Sequence, residues 1–234
     1  DGTWGTIAEH VNSTARPIAV IFSNTTSTTD MGNNWTHGYA MALKESASNS
    51  VWSTNVQWEM GEQNAKNTET LMKTDLDGYT HTKIIYTNHY SVLQNEYPAF
   101  YYAKNYSVSY PQSSSGWFLP SIGQLYYILS NLGFKTTSTS LIYWGFTFSG
   151  DASTCINNLN YYLNLLGISD ITSFVPNILI WSSSEGEGNS NTLNSGVSTG
   201  VCVDNYLAFP FDHSKNVNPF NGGNYYHVRS AIAF

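Results

Sequence analysis

Period-two alternation is clearest at the end of the chain. In residues 225–234, Val228, Ile232 and Phe234 fall on one face with small Ser230 between them, and Arg229, Ala231 and Ala233 fall on the other. Such alternation predicts a strand buried on at least one face. With no polar tail behind it, the strand is expected to dock inside a sheet. Residues 17–22 form an uninterrupted apolar run, read as a buried first strand, and residues 23–34 a polar loop. Thr36 is placed to cap a helix from His37 to about Ser46, with Tyr39, Leu43 and either Met41 or Ala42 on its inner side. Residues 56–60 alternate like a short strand.

The middle of the chain reads as helical. Residues 67–71 open a weak helix that stops near Gly78, and Thr80 caps a further turn through Lys83, Ile84 and Ile85. Residues 97–103 suit a helix with Pro98 in its first turn. Ser121 followed three residues later by Gln124 is a capping-box signal. It precedes Leu125, Ile128, Leu129 and Leu132 at helical spacing, with Gly133 as the stop. A second stripe of Ile156, Leu159, Leu163 and Leu166 has Thr154 or Ser153 as cap and Gly167 as stop. Between the two, residues 141–148 read as a strand or an insertion. Residues 178–181 are an apolar strand running into Ser182, Ser183, Ser184 and Glu185, and residues 200–209 another strand. Helices in the middle with strands at both ends predict an α+β fold in which the first and last strands are neighbours. Residues 1–15 read as a lead-in and 16–234 as the domain.

Composition narrows the function. The chain has 234 residues, enough to bury a core without staples, but only 11% charged residues against 15% aromatic. Ser, Thr, Asn, Gly and Tyr take the place of ions, which suits an exported protein touching sugars or proteins. The net charge is −7, from 9 Lys+Arg against 16 Asp+Glu. No basic patch exists, so neither nucleic acid nor an anionic membrane is an expected partner, and no apolar run is long enough to span a bilayer. The sequence starts at Asp1 without Met or a leader: a signal has been removed, or the sequence begins within a longer protein. Cys155 and Cys202 form one disulfide or remain two buried thiols; no C-x-x-C spacing supports zinc or redox chemistry.

Catalytic and metal signals are weak. The six histidines lack metal-ligand spacing and are expected to be exposed or capping. Glu185 and Glu187 lie in a Gly-rich stretch with no assignable partner acid. Asp30, Asp204 and Asp212 lack the D-x-D-x-D-G run of a calcium loop. Neither Gly116 nor the Gly222-Gly223 pair makes a phosphate loop. No catalytic residue, metal or cofactor is assigned.

Three motifs line up in order: Gly116-Trp117-Phe118-Leu119-Pro120-Ser121, Trp181-Ser182-Ser183-Ser184-Glu185, and Val228-Arg229-Ser230-Ala231-Ile232-Ala233-Phe234. They resemble the G-W-x-L-P-S, W-S-S-S/T-E and V-R-x-V-x-A-F motifs of bacterial C-type-lectin-fold domains. Trp35 to Leu43 looks like the first helix of surface lipoproteins and fimbrial proteins of gut bacteria, and Asp77-Gly78 with Thr82 to Ile85 resembles a further segment there. The resemblance implies a C-type lectin-like fold: a small, twisted, mostly antiparallel sheet flanked by helices. Enzymes of that fold that generate formylglycine use cysteines with no match here. The calcium triplets of animal lectins, E-P-N and W-N-D, are also missing.

The same fold includes the variable proteins of diversity-generating retroelements, whose C-terminal stretch is rewritten by adenine mutagenesis of Asn codons. That chemistry cannot reach Met, Lys, Glu, Gln or Trp. From Asn189 to the end, Lys215 is the only residue of those types. The resemblance therefore implies a variable surface at about 189–227. Its ligand-contacting residues would be Asp204, Asn205, Tyr206, Asp212, His213, Asn216, Asn218, Phe220, Asn221, Asn224, Tyr225, Tyr226 and His227. Tyr and Phe supply rigid contact area and Asn adaptable hydrogen bonds, as in antibody loops. The expected function is a non-enzymatic adhesin at the bacterial surface or pilus tip, binding a protein or glycan on a host cell, bacterium or phage. The alternative is a structural pilus subunit. Arg229 is expected to be held by backbone carbonyls or a carboxylate, with Glu185 as the candidate, and Trp181 to be buried nearby.

Overall fold

The computed structural model describes residues 3–10, 14–55, 57–61, 64–66, 68–142, 145–165, 167–186, 197–203, 207–213 and 226–234. In chain order the elements are α1 (Ile7–His10), β1 (Ala19–Ser23), α2 (Thr28–Gly32), β2 (Tyr39–Ala42), α3 (Glu69–Thr74), α4 (Gly78–Asn88), α5 (Leu93–Glu96) and α6 (Pro98–Lys104). They continue with α7 (Ile122–Tyr127), β3 (Ser140–Ile142), β4 (Gly145–Ser149), α8 (Ala152–Asn164), β5 (Ile178–Gly186), β6 (Val197–Val203), β7 (Leu207–His213), β8 (Tyr226–His227) and β9 (Ala231–Ala233). The strands form a three-stranded sheet in the order β1-β2-β9 and a six-stranded sheet in the order β3-β4-β7-β6-β5-β8. Pairing is antiparallel except between β5 and β8. The fold is α+β.

The C-terminal segment is the seam between the two sheets. Tyr226 and His227 pair with Leu179 and Ile180 of β5, Val228 bridges to Ala47, and three residues later β9 pairs with β2. Ala231 also bridges Phe118, with both amides donating (3.0 and 2.9 Å). Both faces of the segment are buried. Ala231 and Ala233 enter the main core, Val228 a second apolar cluster, and Ile232 and the part-buried Phe234 a third, on the outer face of the small sheet. Phe234, placed by the alternation on the face expected to be buried, is only part-buried on the outer side; Ala231 and Ala233 take the side of the main core.

The three motifs of the sequence interlock through backbone and hydroxyl hydrogen bonds. Ser183 N–H donates to Pro120 O (2.8 Å), Ile122 N–H to Ser184 Oγ (2.9 Å), and Ser184 Oγ–H to Asp75 Oδ2 (2.6 Å). Ser121 caps α7 in a capping box with Gln124, as its spacing predicts. All nine residues of β5 are buried. Ile178 and Ile180 face the main core, while Leu179 and Trp181 face the second cluster with Trp52 and Phe100. A strand covered on both faces shows no polar alternation, which is why residues 178–185 read as apolar and then all-serine.

Several expected elements differ. Residues 39–42 are the central strand of the small sheet and not a helix: Tyr39 and Met41 enter the main core, Ala40 and Ala42 the outer cluster. Buried on both faces, this strand also lacks a period, and Y-A-M-A-L fits either template. Gly38 admits it with φ +151°, where a Cβ would lie 2.1 Å from Ser23 O. The first and last strands share a sheet, but β2 lies between them. Residues 57–60 form no strand: the Gln57 amide bonds Asn55 Oδ1, and the Glu59 and Met60 amides bond Glu185. Residues 200–209 span parts of two strands, β6 and β7. Helix α4 starts after Asp77, which makes no side-chain capping bond, and not at Thr80; α8 is capped by Asp151, whose carboxylate accepts from Ser153 N–H (3.0 Å). Residues 28–32 of the polar loop form α2, capped by Ser27. Residues 140–149 supply the β3–β4 hairpin. Leu166 lies outside the described residues.

Candidate functional site

Strands β5, β6 and β7 define two ends of the six-stranded sheet. At one end Gly186 faces Val197 and Ser198 faces His213; at the other Ile178 faces Val203, which faces Ala208. The chain leaves β5 and β7 at the first end. It re-enters through β8 at the second, where Tyr226 pairs with Leu179. The two ends are about 17 Å apart, at ~3.3 Å per residue over five residues.

The expected contact residues fall in three groups on this frame. Asp204, Asn205, Tyr206, Asn216, Asn218, Phe220, Asn221, Asn224 and Tyr225 lie outside the described residues. Asp212 and His213 close β7 at the end where the chain leaves β5. Tyr226 and His227 are described in full, and neither is a free surface group. Tyr226 is 4% exposed, and its ring lies on Trp181 with centroids 4.3 Å apart and planes 10° from parallel. Its assignment to the contact surface is corrected: the parallel pairing with Leu179 places the ring over the tryptophan of the same strand. His227 is part-buried and bonds Glu45 Oε2 through Nδ1.

Beneath these residues is a rigid floor. Trp181 Nε1–H donates to Ser50 O (2.8 Å), Ser50 N–H to Tyr226 O (3.0 Å), and Trp52 Nε1–H to Ser182 O (2.7 Å). Buried indole donors without acceptors are costly, so these bonds fix both rings and the loop between them. Arg229, 3% exposed, donates to Ala42 O and Leu43 O (both 3.1 Å) and Thr172 O (2.5 Å), and its guanidinium sits 4.4 Å from the centre of the Phe174 ring. Burial pushes its pKa down to about 10 while the Glu45 charge pulls it back up, so it stays cationic at neutral pH.

Carbonyls hold Arg229, as one of the two expected options had it; Glu185 is not the partner. The Glu185 carboxylate is 2% exposed and accepts from Glu59 N–H (3.0 and 3.2 Å) and Met60 N–H (2.8 Å). It thereby ties the end of β5 to residues 59–60. Glu59 in turn accepts from Tyr97 Oη–H and meets His89 Nε2 (2.9 Å). Burial and then this carboxylate raise the Tyr97 pKa. Sequence reading missed Glu45, Ser50, Trp52 and Glu59, because each is a single residue in an irregular stretch with no spacing to mark it.

One histidine departs from the expected exposure. His81 is 7% exposed with Nδ1 3.1 Å from Ser183 Oγ, and Ser183 is 0% exposed. That Ser–His contact is walled in, and a substrate carbonyl cannot reach it. Among the described residues no three His, Cys, Asp or Glu side chains gather as a metal site requires. Asp30 accepts from Tyr39 Oη–H (2.5 Å). Cys155 is a free, buried thiol whose pKa burial pushes up to about 12; only the backbone of Cys202 is described. No helix is long and apolar enough to cross a membrane among the described residues.

No protein-family model matches the sequence, and no curated protein does. Among solved structures, a fimbrial protein from Bacteroides ovatus ATCC 8483 is similar over 97% of this chain, with a TM-score of 0.52 and 13% identity. The chain spans 41% of that protein's length. At this identity the likeness is one of fold.

Proposed function

We propose that the chain is a non-enzymatic ligand-binding domain of C-type lectin-like fold, displayed at a bacterial surface or pilus tip. Its hypervariable face is carried by the segments that leave and enter β5 to β8. The observation that carries the reading is the change of composition after Asn189, set beside the buried frame that flanks it. Residues 189–225 are limited to the products of Asn-codon mutagenesis apart from Lys215, and they lie between β5, all nine residues of which are buried, and the buried Tyr226. Contact residues on a fixed sheet can vary without disturbing the core. Tyr226 packs on Trp181, so the variable surface ends at Tyr225 and the fixed floor begins one residue later. A protein or glycan on another cell is the ligand class this neutral, Tyr- and Asn-rich surface suits. The likeness in fold to a fimbrial protein is in keeping with display on a pilus or cell surface, and the walled-in Ser–His contact with a non-enzymatic role.

Sequencing the same locus in sibling isolates tests the reading. Replacements should cluster at Asn codons between residues 189 and 225, with Trp181, Tyr226 and residues 228–234 constant. Replacements spread evenly over the chain, or reaching Met, Lys, Glu, Gln or Trp as often as other residues, would refute it.

A further inference from the structure

The small sheet has an open edge. In β1–β2 the Leu43 amide bonds Ile18 O (3.3 Å), and in β2–β9 the Ala42 amide bonds Ser230 O (2.9 Å). Hydrogen-bonded residues alternate along an antiparallel pair. Ile18 and Val20 are therefore the β1 residues that bond β2, and the N–H and C=O groups of Ala19 and Ile21 point away from the sheet. Among the described residues neither takes a partner. Exposed edges are ordinarily blunted by charge or proline. Here Ala19, Val20 and Ile21 are uncharged, part-exposed and continuous. The open stretch is bounded by Pro17 on one side. On the other, the Asn131 side-chain amide donates to Phe22 O (2.8 Å).

Beside that edge lies a cleft of about 570 Å³. Ala19, Ile21, Ala40, Ile232 and Phe234 floor it and Tyr110 walls it. Ile21, Ala40 and Ile232 are lateral neighbours in register, so one sheet face supplies the floor. Arg16 is the one charged lining residue; it meets Asp170 at 3.0 Å, a carboxylate it shares with Lys44 at 2.6 Å.

We propose that this edge and cleft receive an extended segment of a partner polypeptide, which adds as a fourth strand beside β1. Its backbone pairs with Ala19 and Ile21, and every second side chain, uncharged and apolar, drops into the cleft. Both features are needed to choose the occupant. A lipid chain would use the floor but leave two N–H and two C=O groups dry and unpaired, which is costly. A sugar could meet the Ser and Thr hydroxyls of the lining, but it has no extended backbone to pair in register with Ala19 and Ile21. Apart from the exposed Arg16 at its rim the lining is uncharged, so charged side chains facing the apolar floor are disfavoured. Strand addition of this kind takes affinity from the backbone and specificity from alternate side chains. The site is on the small sheet, and it stands or falls independently of the variable face.

Amide exchange and a peptide titration followed by NMR test this. In the free protein the Ala19 and Ile21 amides should exchange fast and the Val20 amide slowly. The probe is the capped peptide Ac-Thr-Val-Thr-Val-Thr-NH₂, which should shift and protect Ala19 and Ile21. Two analogues, N-methylated at the valines or at the threonines, separate the terms. One should lose about tenfold or more in affinity, as expected for a lost backbone bond, and the other should bind like the parent. Ile21→Pro removes a donor the fold does not use and also trims the floor, so it should stay folded with a somewhat lower melting temperature and weaken the peptide at least to the same degree. The proposal is overturned if both analogues bind equally, if no shift appears at Ala19 and Ile21 at millimolar peptide, or if the free protein protects those amides, whether through its own chain or a concentration-dependent dimer.

Discussion

Replacing Arg229 by Ala tests most sharply whether the carbonyl cage holds the closing segment. The guanidinium is 3% exposed, serves three carbonyls and lies over Phe174. Hydrogen bonds to a charged group contribute about 1.5–3 kcal/mol each, which for three acceptors exceeds 4 kcal/mol. Against this stands the desolvation of the guanidinium, several kcal/mol, which the variant no longer bears. Cavity formation and the unpaired carbonyls tip the balance, and the net loss should be about 3–5 kcal/mol, the usual range for breaking a buried charged interaction. For a domain of this size that is roughly 6–20 °C in melting temperature, at ~2–4 °C per kcal/mol. Arg229→Lys keeps the charge but cannot fork to three carbonyls, and should lose about 1–3 kcal/mol. The assay is urea unfolding, read as the midpoint at constant slope. A loss below about 1 kcal/mol for the alanine variant, or a lysine variant equal to the parent, would show that the carbonyl cage does not hold the closing segment.

Other substitutions separate the roles of neighbouring residues. Tyr226→Ala should cost about 3–5 kcal/mol in the same assay, as an emptied aromatic core site does. Phe234→Ala, at a part-exposed ring, should cost less than about 2 kcal/mol; equal losses would contradict the assignment of the two rings to floor and outer cluster. Asp30 is 1% exposed and burial raises its pKa. For an acid raised in the folded state, stability falls as pH rises from the unfolded pKa near 4 through the folded one. The stability of the parent relative to Asp30→Asn should therefore be greater at pH 4 than at pH 7; a pH-independent difference in urea midpoints would refute this. Cys155, its thiol pKa pushed up to about 12, should resist iodoacetamide at pH 8 in the native protein and react once it is unfolded. Peptide mass spectrometry reads both states, and rapid native labelling would contradict its burial.

The sequence by itself determined the local features. The Ser121 capping box, the helical run that passes from α7 into a π-helical turn ending at Gly133, the Pro98 helix and the final strand all follow from interactions within a few residues, and the structure places them where the spacing does. It also marked the three motifs that brace the interior, and the abrupt change of composition after Asn189. Only the tertiary structure decided what has no local period. Residues 39–42 look helical because a strand covered on both faces carries no alternation, and it is the pairing with β1 and β9 that makes them a strand. Glu185 resembled a partner for Arg229 because both are scarce charges in adjoining motifs. In space its carboxylate meets two backbone amides, and the arginine finds carbonyls 57 to 187 residues away in sequence. Tyr226 has the residue type of a contact surface, yet the parallel register with Leu179 lays it on Trp181. In each case partners distant in the chain, through pairing register and burial on a second face, settled a position that its neighbours in sequence left open.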